Sequence, residues 1–283
     1  FSFPKKLRDY LVEREVTTLI WAVSALCIIT TLKGFEYKVP SKVDKVIFSG
    51  EVMPVKHLNE WRRYLPDARY ANVYGPTEIT CNCTYYKIDR EFQPGENLPI
   101  GQPFPNEKVF LLDEEDRLVT EPSKKGEICV SGTALSLGYY NDPRQTKAAF
   151  MQNPLNGQYL EPIYRTGDLG YYGEDGYLYF ASRKDYQIKH MGHRIELGEI
   201  ETALERVEGM RRGCCIYDEE KNKIVAFYEG ELEKRQIVKS LGTALTAFMV
   251  PNVFIKMDRL PITNNGKIDR KGLKTQYKEG LHG

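Results

Sequence analysis

The sequence predicts a mixed α/β protein: part of a doubly wound αβ subdomain, a small β-rich subdomain, and a hinged small α+β domain at the C-terminus. Three observations carry that expectation. Helical and strand patterns alternate through residues 1–91, and short β-rich runs broken by Gly, Pro, Asn and Asp fill 92–184. A charged, Gly-interrupted stretch, Ser182 to Glu201, then opens a Lys- and Glu-rich tail, so the last domain is placed at 185–283.

Residues 4–15 have helical spacing, with Leu7 and Leu11 on one side. Val16 to Ala22 reads as a buried strand and Ser24 to Leu32 as a helix. Lys45 to Phe48 is a short apolar strand stopped by Ser49-Gly50, and Pro54 to Tyr64 reads as a helix with Pro near its start. Ala68 to Tyr74 is a further strand, closed by Gly75-Pro76. Helix and strand alternating in this way is the order of a doubly wound sheet, in which ligands bind beyond the carboxyl ends of the strands. In the β-rich part, Lys108–Leu112, Glu127–Val130 and Tyr177–Phe180 read as strands of a small barrel or distorted sheet. In the tail, Glu196–Val207 and Glu233–Thr246 read as helices, with Gly213–Tyr217 and Ile224–Tyr228 as a strand pair.

Composition narrows the function classes. Forty basic residues against 39 acidic ones leave no basic field for nucleic acid or an anionic membrane. The longest uncharged run, Thr17 to Leu32, is short for a membrane span and carries hydroxyl residues. The six cysteines form no CxxC pair and the four histidines are not grouped with them, which argues against a disulfide framework or a zinc site and for reduced thiols in a cytoplasmic protein.

Chemistry-bearing residues fall at the punctuated positions. Asn72-Val73-Tyr74-Gly75-Pro76-Thr77-Glu78 ends a strand in a tight turn and offers an aromatic face, a hydroxyl and a carboxylate together. A nucleotide needs such a set: a flat ring for the base, a donor for phosphate, an anion for Mg²⁺. An ordinary strand-to-helix turn can contain the same residues. Tyr164-Arg165-Thr166-Gly167-Asp168 places a carboxylate behind a Gly turn, where it can accept ribose hydroxyls, although surface turns often contain T-G-D. Asn264-Asn265-Gly266-Lys267 sets a lysine on a loop near the C-terminus, either a solvated side chain or a cation delivered by a moving domain.

Jointly these stretches say more. Residues 50–51, 72–78, 99–103, 126–139, 164–170, 182–201 and 260–270, in this order, resemble the amino-acid adenylation domains of the acyl-adenylate-forming superfamily. The likeness is to D-alanine:carrier-protein ligases and nonribosomal peptide synthetase adenylation domains, from about Val16 to the C-terminus. It implies ATP and Mg²⁺ as cofactors, an amino-acid substrate and a phosphopantetheinylated carrier protein as partner. Tyr74 would stack on adenine and Asn72 would contact its edge. Thr77 would meet the phosphates, Glu78 would hold Mg²⁺, and Asp168 would bind the ribose with Arg183 nearby. Gly50, Glu51 and Gly75 would complete the nucleotide site. Asp185 matches the hinge, Lys267 the catalytic lysine and Gly192 the loop lining the thiol tunnel. Trp21, Ile47, Ser49, Val73, Cys81 and Asn82 would line the amino-acid pocket, Trp21 making it shallow and favouring D-alanine or a similarly small substrate.

Departures are local. Ser182 replaces the usual Gly before Arg183, His190-Met191 replaces the usual pair before Gly192, and Ser49 stands where the D-alanine ligases carry Cys. The family's phosphate loop and the acidic residue that holds the substrate amino group have no counterpart in these residues. The resemblance therefore implies the C-terminal part of a longer enzyme, inactive alone. The expected reaction forms aminoacyl-AMP and passes the aminoacyl group to the carrier thiol. An acyl- or aryl-CoA ligase and a non-catalytic carrier-binding module are the alternatives. Against the first stand the N-G-K-I-D-R ending and the Ile195 to Glu199 run.

Overall fold

A computed structural model describes residues 4–93, 95–184, 186–263 and 268–280. The chain divides into two compact units, Phe1–Asp185 and Tyr186–Gly283.

The first unit opens with α1 (Pro4–Glu13), β1 (Thr18–Ala22), α2 (Val23–Thr31), α3 (Gly34–Tyr37), β2 (Lys45–Ser49), α4 (Val55–Tyr64) and β3 (Arg69–Tyr74). β1, β2 and β3 pair in parallel, and antiparallel β4 (Thr84–Ile88) and β5 (Gln102–Pro103) complete a five-stranded sheet. The mixed α/β expectation holds, with parallel pairing in this sheet confined to β1, β2 and β3. Alternation along the strands sends Leu19, Val46, Phe48 and Tyr70 to one face, where they pack with Leu26, Ile29, Leu58 and Trp61 from the helices. The intervening residues Ile20, Ile47 and Ala71 lie in one register row on the other face, and Ile20 is 71% exposed.

Residues 107–183 form the second sheet. It holds β6 (Glu107–Leu112), β7 (Leu118–Val119) and β8 (Gly126–Gly132) and, after α5 (Pro143–Ala149), β9 (Phe150–Gln152), β10 (Pro162–Tyr172) and β11 (Leu178–Arg183). The strand order is β11-β10-β8-β6-β7, with β9 on β10. Its core joins Ile128, Val130, Tyr164 and Leu178 to Tyr74, Ile79 and Cys83 from the end of the first sheet. The sheets also meet through main chain. Ile100 and Gly101 both donate N–H groups to the Leu178 carbonyl, at 2.8 and 3.0 Å. Gly101 has φ +91°, and a Cβ there would lie 1.9 Å from the Tyr85 carbonyl oxygen, so only glycine fits.

The second unit begins with a hairpin, β12 (Gln187–His190) and β13 (His193–Glu196), whose two-residue turn is Met191-Gly192. Both turn residues have positive φ, 53° and 81°, the geometry that matches strand twist in tight hairpins. Then follow α6 (Leu197–Glu205), β14 (Met210–Asp218), β15 (Lys223–Gly230), α7 (Lys234–Ala244), β16 (Val253–Lys256) and α8 (Arg270–Lys278). β14 is antiparallel and β16 parallel to β15. Cys214 and Cys215 alternate across this sheet, one packing with Leu273 and Tyr277 of α8, the other with α6 and α7. Among the described residues no helix is long and apolar enough to cross a membrane.

Two predictions test this packing. Burial pushes the Cys27, Cys83, Cys129 and Cys214 thiols up to about 12 and Cys215 higher still, whereas Cys81 is exposed. A thiol-specific disulfide reagent at pH 8 should therefore label one cysteine quickly in the native protein and all six after unfolding; several fast thiols would contradict the burial. Gly101→Ala should cost about 3 kcal/mol or more in urea unfolding, and an unmoved midpoint would show that the junction tolerates a side chain.

Candidate active site

β1, β2 and β3 run in parallel and end side by side, with Ala22 opposite Ser49 and Phe48 opposite Asn72. The chain leaves β2 through Gly50 at φ +95° and leaves β3 at Tyr74. After Tyr74 it folds back sharply. The Cys83 N–H donates to the Tyr74 carbonyl at 2.7 Å, and Thr77–Ile79 forms a single 3₁₀ turn. Gly75 makes this return possible, since a Cβ would meet Asn82 Cα at 2.6 Å. Thr77 is exposed at the start of that turn, while Glu78 behind it is buried.

The turn places Tyr74 against the second sheet. Its hydroxyl donates to Asp168 Oδ2 at 2.5 Å, and Arg183 Nη1 donates to Asp168 Oδ1 at 2.6 Å. Asp168 and Arg183 are direct partners across β10 and β11. The carboxylate is only 3% exposed, so these donors take the place of water around it. Burial, and then the neighbouring Asp168 charge, raise the Tyr74 phenol well above its ordinary value and keep it a donor. Behind the pair, Thr166 Oγ1 donates to the Ile128 carbonyl at 2.8 Å and accepts the Asp168 N–H at 3.0 Å. Asn72, also buried, donates to the Pro99 carbonyl at 2.8 Å.

Glu78 has a separate environment. Its Oε1 accepts the Tyr139 hydroxyl at 2.6 Å and its carbonyl accepts the Ser136 N–H at 2.9 Å. Tyr139 is itself held, its N–H donating to Thr146 Oγ1 at 2.8 Å and its ring edge-on to Phe150. Among the described residues no three His, Cys, Asp or Glu side chains gather to hold a metal. A single carboxylate is nonetheless adequate for Mg²⁺, which takes one or two protein oxygens and otherwise water and phosphate. Glu78 fits that requirement.

The expected nucleotide residues Tyr74, Asp168 and Arg183 thus come together, Gly50 and Glu51 follow the end of β2, and Glu78 is fixed by a partner that motif reading did not supply, Tyr139. The expected amino-acid pocket is split. Ile47, Ser49 and Val73 occupy one face of the sheet by alternation and register. Trp21 lies in the Phe48 and Asn72 row on the opposite face, packed edge-on to Trp61 at 6.3 Å within the helix-covered core. As a correction, Trp21 therefore does not wall that pocket; Ile20 shares the Ile47 row in its place. The reason is parity, since a one-residue change of alignment moves a side chain across the sheet. Cys81 is exposed at φ +88°, and Asn82 Nδ2 lies 3.3 Å from its Sγ. Asn82 Oδ1 is buried without a hydrogen-bond partner. Gly192 sits in the exposed hairpin turn of the second unit. Lys267 and Asp185, the expected catalytic lysine and hinge, lie outside the described residues.

Known proteins resemble this chain in sequence and in fold. Residues 2–140 match the family model of AMP-binding enzymes. The chain is 37% identical over 276 residues to gramicidin S synthase 2 of Brevibacillus brevis, covering 95% of this chain and 6% of that protein. It is 34% identical to zwittermicin A synthase ZmaJ of Bacillus cereus, covering 96% of this chain and 53% of that one. Among solved structures, holo-PA1221, an NRPS protein containing adenylation and PCP domains, shares the fold with a TM-score of 0.81 at 27% identity, over 96% of this chain and 47% of its own. The chain thus spans about half the length of ZmaJ and of PA1221, and a small share of the gramicidin synthase.

The Tyr74 hydroxyl can be tested by itself. Tyr74→Phe keeps the ring and removes one donor to a buried carboxylate, so it should lower stability by about 1.5–3 kcal/mol in urea unfolding. An unchanged midpoint would mean that Arg183 alone satisfies Asp168.

Proposed function

The chain belongs to the AMP-binding enzyme family, and on that premise we propose that it supplies the nucleotide and acceptor side of an amino-acid adenylating ligase. The observation that carries this reading is the Asp168 carboxylate, buried within β10 with one oxygen on Tyr74 and the other on Arg183. A charge costs free energy in such a place, and a ribose that exchanges hydroxyls for those donors accounts for its presence.

In the first half-reaction the amino-acid carboxylate attacks the α-phosphorus of ATP and pyrophosphate leaves. Bringing two anions together is the barrier, so positioned cations and donors provide the acceleration. Tyr74 offers its ring to the base, Asp168 and Arg183 orient the ribose, and Thr77 faces the phosphates. Mg²⁺, held by Glu78, supplies charge neutralisation when bound. Lys267 bridges the carboxylate and phosphate while charge accumulates. In the second half-reaction a carrier phosphopantetheine thiol attacks the mixed anhydride, forming a thioester and releasing AMP. The second unit turns about Asp185 between the two steps, withdrawing Lys267 and presenting the Gly192 turn.

For the substrate, the sheet face carrying Ile20, Ile47, Ser49 and Val73 provides apolar contacts, and the unpaired Asn82 Oδ1 provides an acceptor for an N–H or O–H donor. An amino acid brings such a donor; a simple fatty acid does not. A small amino acid, D-alanine first, retains the resemblance to the D-alanine ligases as support and loses the Trp21 wall. Teichoic acid D-alanylation and peptide synthesis are the pathways compatible with that chemistry.

ATP–pyrophosphate exchange by the full-length protein tests the reading, with D-alanine, L-alanine, glycine and several carboxylates offered in turn. Exchange dependent on an amino acid is expected. Exchange with a fatty or aryl acid would transfer the protein to the CoA-ligase class, and silence would favour a carrier-binding module. Lys267→Ala should slow adenylate formation by about 10²–10³-fold while leaving thioester formation from preformed adenylate within a few-fold. Asp185→Pro should show the opposite pattern, because the fixed φ restricts the swing. Equal damage to both half-reactions by Lys267→Ala would refute the alternation.

A further inference from the structure

Glu127 is a buried carboxylate on β8 that the motif reading leaves without a task. Ladder pairing between β8 and β10 is interrupted from Arg165 to Leu169, so the backbone around Asp168 bulges away from its neighbour. Side chains take over the hydrogen bonds lost there. Thr166 Oγ1 accepts the Asp168 N–H, and Glu127 Oε1 accepts the Gly167 N–H at 3.1 Å. The second oxygen of Glu127 accepts Arg165 Nε at 2.8 Å and Lys184 Nζ at 3.2 Å. Gly167, at φ +72°, immediately precedes Asp168, and Lys184 immediately follows Arg183. The main chain closes the same loop, with the Lys184 N–H donating to the Gly167 carbonyl at 2.8 Å. Asp116 takes Arg165 Nη1 at 2.6 Å, so two cations and two carboxylates balance in one cluster.

From this geometry we propose that Glu127 is a positioning residue for ribose recognition. It holds Gly167 and Lys184, and through them sets the angle at which Asp168 and Arg183 present themselves. Glu127 touches neither the nucleotide nor the reacting atoms. The proposal rests on the nucleotide reading of Asp168. It adds that a carboxylate 41 positions earlier in the chain controls how strongly the ribose hydroxyls are read. Glu127→Gln retains the shape and an oxygen for Gly167 but loses the charge that holds Arg165 and Lys184. Lys184→Met removes one arm of the clamp at a partly exposed side chain and serves where Glu127→Gln does not fold.

The experiment is calorimetric binding of AMP and of 2′,3′-dideoxy-AMP to the full-length protein and to both variants. The native protein should prefer AMP by about 100-fold or more, because a site built around hydroxyl groups rejects an analogue lacking them. In Glu127→Gln that ratio should fall about tenfold, and in Lys184→Met about threefold, with the dideoxy nucleotide binding nearly as before. Equal weakening of both nucleotides, leaving the ratio unchanged, would overturn the proposal and mark Glu127 as a packing residue. A native protein that binds AMP without preferring it over the dideoxy analogue would instead overturn the ribose assignment of Asp168, and this inference with it.

Discussion

The first unit depends on one buried charge. Asp168 belongs to the second sheet, Tyr74 to the end of the first, and the carboxylate binds them at 2.5 Å while Arg183 neutralises it from the adjoining strand. Well-packed apolar residues of similar volume would hold the same junction at least as firmly, because desolvating an ion pair consumes most of its Coulomb gain. Much of the surrounding architecture answers to keeping that charge satisfied. The bulge in β10 turns Asp168 toward Tyr74, and Thr166 and Glu127 take up the N–H groups that the bulge leaves unpaired. Gly75 lets the chain reverse so that Ile79 and Cys83 pack beneath the Tyr74 ring. A local rule is broken at one position and repaired at several others, a pattern typical of functional sites.

The amino-acid order made much of this legible and concealed the rest for identifiable reasons. β2, α4 and β3 declare themselves by short apolar runs, a Pro-led helix and a Gly-Pro stop, all of which are local signals. T-G-D looks like a surface turn because its Gly does occupy a positive-φ position; that this lies inside an 11-residue strand depends on Glu127, whose partnership with Gly167 no local pattern reveals. Tyr139 is likewise invisible as the partner of Glu78, 61 residues earlier. Trp21 shows the other kind of failure. Every residue of β1 is apolar or small enough for either face, so only pairing with β2 decides which side chains share a row with Ile47. α8 escaped because Lys and Arg dominate it and its contact with the sheet rests chiefly on Leu273 and Tyr277.

The second unit applies comparable constraints around a different residue. Arg270 pairs with both carboxylate oxygens of Glu201, donates to the Cys215 carbonyl at 2.7 Å and lies over the Tyr186 ring at 4.1 Å. One guanidinium thus links α8, α6, β14 and the first residue of the unit, a task suited to a planar five-donor group. Ile262 bridges Ile268, and the Asp269 N–H donates to the Pro261 carbonyl at 2.8 Å, so the described residues on either side of 264–267 are pinned together. In the proposed reaction this matters for Lys267. A cation that must meet a forming bond is best carried on a segment whose ends are fixed to a rigid body, since misplacement by about 1 Å can cost about 100-fold in rate.

Separating these two centres between compact units has a chemical consequence within the proposed reading. Asp168, Arg183 and Tyr74 act on parts of the nucleotide that do not change during either half-reaction, namely the ribose and the base. Groups with constant duties gain by being immobile, and these are held by paired strands and buried partners. In the proposed reaction Lys267 has a duty in the first half-reaction only, because its charge offsets the repulsion between two separate anions, whereas the second begins from an anhydride in which they are already joined, and a thiol. Leaving it in place would obstruct the incoming pantetheine without stabilising its attack. A lysine on a separate unit can be withdrawn while the nucleotide stays gripped. In the proposed reaction, a chain divided into Phe1–Asp185 and Tyr186–Gly283 would let one part hold AMP throughout while the other exchanges its catalytic face.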